Sequence, residues 1–193
     1  MEKKDTRSEI IRIGTELISR QGYTATGIDI VLKEAGVPKG SFYHYFRSKE
    51  EFGLAVMDHF ATYYSLRMTA HLQDTKIAPL ERIRTLLEGS LERFSRNQCS
   101  KGCLIGNLGQ EMADQNERFR ARLDEVFSDW KCLFADCLRE AQDSGQLAVT
   151  IDAETMASFI LSGWEGAILR AKVMKSPRPI EDFILILFGA ILR

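Results

Sequence analysis

Residues 39–52 read KGSFYHYFRSKEEF, placing a lysine, a glycine, a serine, two phenylalanines, two tyrosines and a histidine in eight positions before an arginine and an acidic run. The chemistry open to such a set is recognition of a polyanion rather than bond making. Lysine and arginine supply charge, while serine, tyrosine and histidine supply donors that suit phosphates and base edges. On a helical wheel Phe42 and Phe46 fall together at i and i+4, with Tyr45 on their flank. Gly40, Tyr43, His44 and Arg47 fall opposite. The stretch therefore divides into a core half, Phe42 and Phe46, and an exposed half facing a partner.

The elements around it give that helix a purpose. A helix is expected to begin after Thr26, a good N-cap with Asp29 three positions on, and Ile28, Val31, Leu32 and Ala35 mark its buried stripe. Gly36 ends it and GVPKG turns the chain sharply. Two short helices joined by such a turn form a helix-turn-helix, whose second helix enters the major groove of duplex DNA by its N-terminal residues. Lys39, Gly40 and Ser41 are then placed to read bases, with Gly40 allowing close backbone approach. Tyr43, His44 and the tip of Tyr45 are phosphate donors. Lys49, behind the N-cap Ser48 of the next helix, adds a charge beside that helix's free N–H groups, and Thr24 and Thr26 are candidates for the same task.

The chain has 193 residues, long enough for one large domain or two modest ones. Residues 1–50 hold nine Lys and Arg against seven Asp and Glu, and the remainder seventeen against twenty. That asymmetry points weakly to an anionic partner at the N-terminal end. No window approaches the roughly 20 apolar residues of a membrane helix, and MEKKDTRSEI is no signal peptide, so a cytoplasmic protein with no membrane partner is expected. Cys99, Cys103, Cys132 and Cys137 are then expected as reduced thiols. Their spacing and the scattered histidines form no metal motif, and no cofactor is expected.

Almost every segment carries the helical period, predicting an all-α fold of about nine helices. Residues 1–50 form the helix-turn-helix domain, with a helix from about Ser48 connecting it to an effector-binding and dimerisation domain over 51–193. Expected helices run Asp5–Gln21, Thr26–Ala35, Lys39–Phe46, Ser48–Gln73, Pro79–Asn97, Cys103–Ala113, 116–144, Asp152–Lys172 and Pro179–Leu192. In the second domain Phe94, Met112, Trp130, Phe134 and Trp164 are candidates to line a pocket, or else plain core. Asn107 stands beside them as a polar candidate. Met156, Ile160, Gly163 and Ala167 on one terminal helix, with Phe183, Ile184 and Leu187 on the other, form the candidate homodimer surface. Two recognition helices would then meet a palindromic operator with half-sites roughly 34 Å apart. Cys103, in NQCSKGCLIGNLGQEM, sits at a predicted helix start that favours a thiolate, though a packed thiol explains it as well.

TGIDIVLKEAGVPKGSFYHYFRSKEEF closely resembles the DNA-binding signature of the TetR/AcrR transcriptional regulators, over about residues 5–60. The resemblance implies a dimeric repressor of nine or so helices that leaves its operator when a small molecule binds a variable C-terminal domain. The commoner wording ends the recognition helix in His-Phe; here Tyr45-Phe46 stands in those places. GCLIGNLGQE and GWEGAILRAK are similar to a subgroup that includes the repressor of N-ethylmaleimide reductase. That similarity implies a sensor thiol for electrophiles or reactive chlorine at Cys103, with Lys172 linked to the response. A reversible ligand beside a packed Cys103 is the alternative, and activation as well as repression stays open. A thiol enzyme would need a histidine base, and no histidine pairs with Cys103 in the sequence pattern.

Overall fold

The structure is a computed structural model that describes residues 5–150 and 152–192; residues 1–4 of the charged N-terminal stretch and Ile151 of QLAVTI lie outside it. The described residues hold nine α-helices and no strand. They are α1 (Thr6–Gln21), α2 (Ile28–Ala35), α3 (Lys39–Tyr45), α4 (Lys49–Leu72), α5 (Pro79–Arg96), α6 (Leu104–Met112), α7 (Glu117–Asp143), α8 (Ala153–Met174) and α9 (Arg178–Ile186), the last running into a π turn over Leu187–Ile191. The all-α expectation is met, with ends shifted by a residue or two except that the last helix, expected to reach Leu192, gives way to a π turn after Ile186. No helix among the described residues is long and apolar enough to cross a membrane.

The chain divides into two compact units. The first takes the described part of Met1–Tyr63 together with Cys103–Asp124, and so gathers α1 to α3, most of α4, α6 and the start of α7. Its core is aromatic: Phe42, Phe46 and Phe52 are buried, with ring centroids 5.3 to 5.5 Å apart. Gly14 of α1 is required by that trio, because a Cβ there would lie 2.3 Å from Phe52 Cζ. Tyr23 and Phe119 stack at 5.1 Å over Gly53 in the same way.

The second unit takes Tyr64–Gly102 with Glu125–Arg193. Trp130, Met68, Leu87, Phe134 and Leu138 fill its interior, and the Trp130 indole N–H donates to Ser65 Oγ at 2.9 Å. Arg82, which the helical pattern gave no role, is only 3 % exposed. Its guanidinium donates to the Leu72 carbonyl at 3.0 Å, the Ile77 carbonyl at 2.7 Å and Glu140 Oε2 at 2.6 Å. One cation thus satisfies the end of α4 and the loop to α5 while pairing with α7.

Two expectations are corrected. Thr26 does not cap α2: the helix starts at Ile28 after Gly27, and the buried Thr26 hydroxyl donates to the Gly22 carbonyl at 2.6 Å. The residues expected at the dimer surface are mostly interior. Met156, Ile160, Ala167, Ile184 and Leu187 are buried within the unit, and Gly163 lies under Phe183, whose Cε2 a Cβ would meet at 2.5 Å. That stripe is the seam joining α8 to α9. The free apolar stripe lies beside it: Phe159, Leu169 and Val173 on α8, Leu185 and Ile186 on α9.

Replacing Arg82 by Met keeps the packed stem and removes every charged bond, so unfolding in urea should show a loss of about 3 kcal/mol. An unchanged midpoint would mean that these bonds contribute nothing.

Candidate nucleic-acid interface

The interface is built on α3. Pro38, with φ −63°, precedes its first residue, and Phe46, the residue after its end, is extended. Over seven residues such a helix has room for two faces. Burial of Phe42 and Phe46 fixes its rotation, and that rotation exposes Lys39, Gly40, Tyr43, His44 and Arg47 while leaving Ser41 and Tyr45 half-covered. Tyr43 is 57 % exposed although it packs edge-on against Phe42, so its ring is held from below and its hydroxyl end stands free of the core. His44 is braced against Tyr45 at 4.8 Å. A Cβ on Gly40 would meet nothing within 4 Å. The fold does not call for glycine there, which fits a residue kept small for an outside partner.

Electrostatics refine the assignment. Lys39 Nζ pairs with Asp29 Oδ1 at 2.9 Å, and that bond raises the lysine pKa, so the ammonium is charged at neutral pH. Both side chains are well exposed, and a pair of this kind is cheap to separate, so a base edge or phosphate can take Lys39 over. Asp29, expected as part of a cap, is thus the ion-pair partner of Lys39.

Lys49 is turned inward. It donates to the Thr24 carbonyl at 3.1 Å and lies 4.7 Å from the Tyr23 ring centre, and burial lowers its pKa. Burial likewise pushes the Tyr23 hydroxyl up to about 12, so it stays neutral. Thr24 is exposed, but its N–H is held by the carboxylate of Glu111 at 2.6 Å. At the start of α4, Ser48 Oγ accepts from the Glu51 N–H at 3.1 Å and Glu51 Oε2 accepts from the Arg47 N–H at 2.9 Å, which is the expected cap.

The effector candidates separate. Trp130, Phe134 and Trp164 do converge, around a void also lined by Tyr64, Met68, Leu86, Leu87, Leu161 and Glu165. Its volume is about 10 Å³, room for about one water. Phe94 and Lys172 belong to the same unit without lining that void, and Cys103, Asn107 and Met112 belong to the first unit. Cys103 is half-buried at the N-cap of α6, where it was expected, and its side chain caps no N–H. Cys132 is exposed and Cys99 and Cys137 are buried. Burial pushes the Cys137 thiol up to about 11, which leaves it protonated and inert. Sequence reasoning missed Asp29 as a partner, Arg82 and Glu111. No local signal marks Glu111, since its contacts lie 87 and 88 residues upstream.

A helix-turn-helix on an all-α frame, with a polar and cationic outer face on its second helix, defines a DNA-binding regulator. The chain belongs to the family described as bacterial regulatory proteins, tetR family, which matches residues 10–56, and residues 79–187 match the tetracyclin repressor-like C-terminal domain. It is similar to the transcriptional regulator AcuR of Cereibacter sphaeroides, at 43 % identity over 90 % of this chain and 80 % of that one. It is similar also to the transcriptional repressor NemR of Escherichia coli, at 34 % over 92 % and 89 %. The crystal structure of the regulatory protein TetR from Rhodobacter sphaeroides superposes with a TM-score of 0.91 at 41 % identity, covering 96 % of this chain and 98 % of that one. The chain is accordingly a DNA-binding transcriptional regulator and not an enzyme.

Three substitutions on α3 should behave differently. Phe42→Ala should lower the unfolding free energy by about 3–5 kcal/mol. Tyr43→Ala should leave stability within about 0.5 kcal/mol and weaken DNA binding about tenfold. Gly40→Ala should raise stability by up to about 1 kcal/mol, through helix propensity, and still weaken DNA binding. Urea melts beside fluorescence-anisotropy titrations read both quantities; DNA affinity that merely follows stability would remove the outer face from the interface.

Proposed function

We propose that this protein is a homodimeric repressor that leaves a palindromic operator when a small-molecule effector reaches its C-terminal domain. The observation that carries the reading is the outward face of α3, where Lys39, Gly40, Tyr43 and His44 stand clear of the core. Lys39, Gly40 and Ser41 read bases, and Tyr43, His44 and Tyr45 bind phosphates. Lys49, Thr24 and Thr26 hold the turn before α2. Its place of action is the cytoplasm. The functional division falls near residue 50, with α4 continuing from one part into the other.

The second copy packs on the free stripe of Phe159, Leu169, Val173, Leu185 and Ile186. These residues recur along α8 at steps that keep them on one side, and they are large, apolar and uncovered. Val173→Glu together with Leu185→Glu should convert the dimer to monomer in light scattering, with helix content unchanged. A dimer that survives both would move the interface elsewhere.

Release follows from the small void. An effector far larger than one water must part Tyr64 and Met68 of α4 from Trp130 and Trp164, and α4 is the helix that continues from Lys49. A shift along α4 changes the spacing of two recognition helices on consecutive major grooves. The relative NemR is a repressor. The resemblance of GCLIGNLGQE and GWEGAILRAK to the N-ethylmaleimide reductase repressor subgroup favours a second route, a chemical effector acting at Cys103, which does not line that void. The thiolate would add to an alkene carbon of N-ethylmaleimide, opening its C=C bond as the neighbouring carbon takes a proton from water; hypochlorous acid would oxidise the thiolate to a sulfenic acid with loss of chloride.

The test is a gel shift on the DNA upstream of the protein's own gene, with and without each reagent, for wild type and Cys103→Ser. Release that Cys103→Ser abolishes, and that reductant reverses after hypochlorite, supports the thiol reading. Release that survives Cys103→Ser directs attention to a reversible ligand at Trp130, Phe134 and Trp164. Absence of any binding by the wild type overturns the proposal.

A further inference from the structure

Gly22 ends α1 with φ of +86°, a backbone turn that glycine makes without strain. Beyond it the N–H groups of Tyr23 and Thr24 converge on one carboxylate: Tyr23 donates to Glu111 Oε2 at 2.8 Å and Thr24 to Glu111 Oε1 at 2.6 Å. The fit is close, because a Cβ on Gly22 would lie 3.0 Å from Glu111 Oε2. Lys49 Nζ donates to the carbonyl of the same Thr24 and lies over the Tyr23 ring. Burial alone would raise the Glu111 pKa, but the bonds from Thr24 and Tyr23 bring it below the usual carboxylate value, so both oxygens accept at neutral pH. Glu111 stands on α6, inside residues 79–187 that match the C-terminal domain of the family, while the turn it grips lies in the N-terminal match.

We propose that Glu111 is a positioning residue for DNA binding: from α6 it clasps the turn between α1 and α2 and so fixes how α2 and α3 are presented to the duplex, without touching DNA. The inference rests on the DNA-reading face assigned under Proposed function. Two acceptor oxygens on one rigid group are what the two converging N–H groups require; an amide offers one. The site is part-exposed, so water replaces the lost bonds when the carboxylate is removed. The fold then survives while the orientation of the turn relaxes. A loss of that kind falls on operator recognition, which needs every base contact in register, and spares non-specific attraction, which needs only charge. Thr24 thereby acts through its backbone in holding the turn, and its expected phosphate contact is secondary.

The experiment uses the full-length protein with Glu111→Ala and Glu111→Gln, a labelled duplex from upstream of its gene and a scrambled duplex of equal length. Stoichiometric titration gives the active fraction, and anisotropy gives the Kd of that fraction. Expected for Glu111→Ala is wild-type helix content, operator binding weakened about tenfold and scrambled-duplex binding within about twofold of wild type. Glu111→Gln should lie between, and amide exchange at Tyr23 and Thr24 should accelerate in Glu111→Ala. A Kd within twofold of wild type in the active fraction, equal losses on both duplexes, or tighter operator binding would each overturn the inference. Tighter binding would mean that the carboxylate competes with a phosphate. Wild type that fails to prefer its upstream DNA would instead overturn the reading on which the inference rests.

Discussion

The burial of Phe42 and Phe46 is the contact on which the DNA-facing surface depends. A seven-residue helix has little stability of its own, so α3 takes its rotation from the side it buries. With both rings closed against Phe52, Tyr43 and His44 between them face outward. The polar set Lys39, Gly40, Tyr43 and His44 therefore gains its geometry from apolar neighbours one to three positions away. Gly14 completes the arrangement from α1, since any larger residue would displace Phe52 and the ring trio with it.

Ionic bonds carry the corresponding role where the chain has no apolar side chain to offer. Arg82 gathers two carbonyls and Glu140 in the second unit, and Glu111 with Lys49 holds one turn in the first. In each case a long charged side chain reaches the backbone of a helix end or a turn. The aromatic cluster around Trp130 leaves a void of only about 10 Å³.

Much of this was legible in the sequence, for reasons that differ by element. The helices declared themselves through the 3.6-residue period, and α3 through the mutual exclusion of its two faces. The cap formed by Ser48 and Glu51 was readable because it is local. Thr26 was misread because a buried threonine and an N-cap threonine look alike before the turn geometry is known; its hydroxyl bonds back to Gly22 instead. The stripe expected at the dimer surface proved interior because α8 is apolar on two adjacent sides. The richer side, with Ile160 and Ala167, packs within the chain, and Phe159, Leu169 and Val173 remain outside. Glu111 left no trace because the backbone it binds is 87 and 88 residues away, and Arg82 because its charged partner, Glu140, is 58 residues away.

The central claim is that the outer face of α3 reads duplex DNA in consecutive major grooves. Hydroxyl-radical footprinting of the DNA upstream of the gene tests it most directly. The account predicts two protected patches on one face of the duplex, centred about 10 base pairs apart, that vanish together when Lys39 and Tyr43 are both changed to Ala. Protection that persists in that double variant, or a wild-type protein that protects no discrete site, would contradict it.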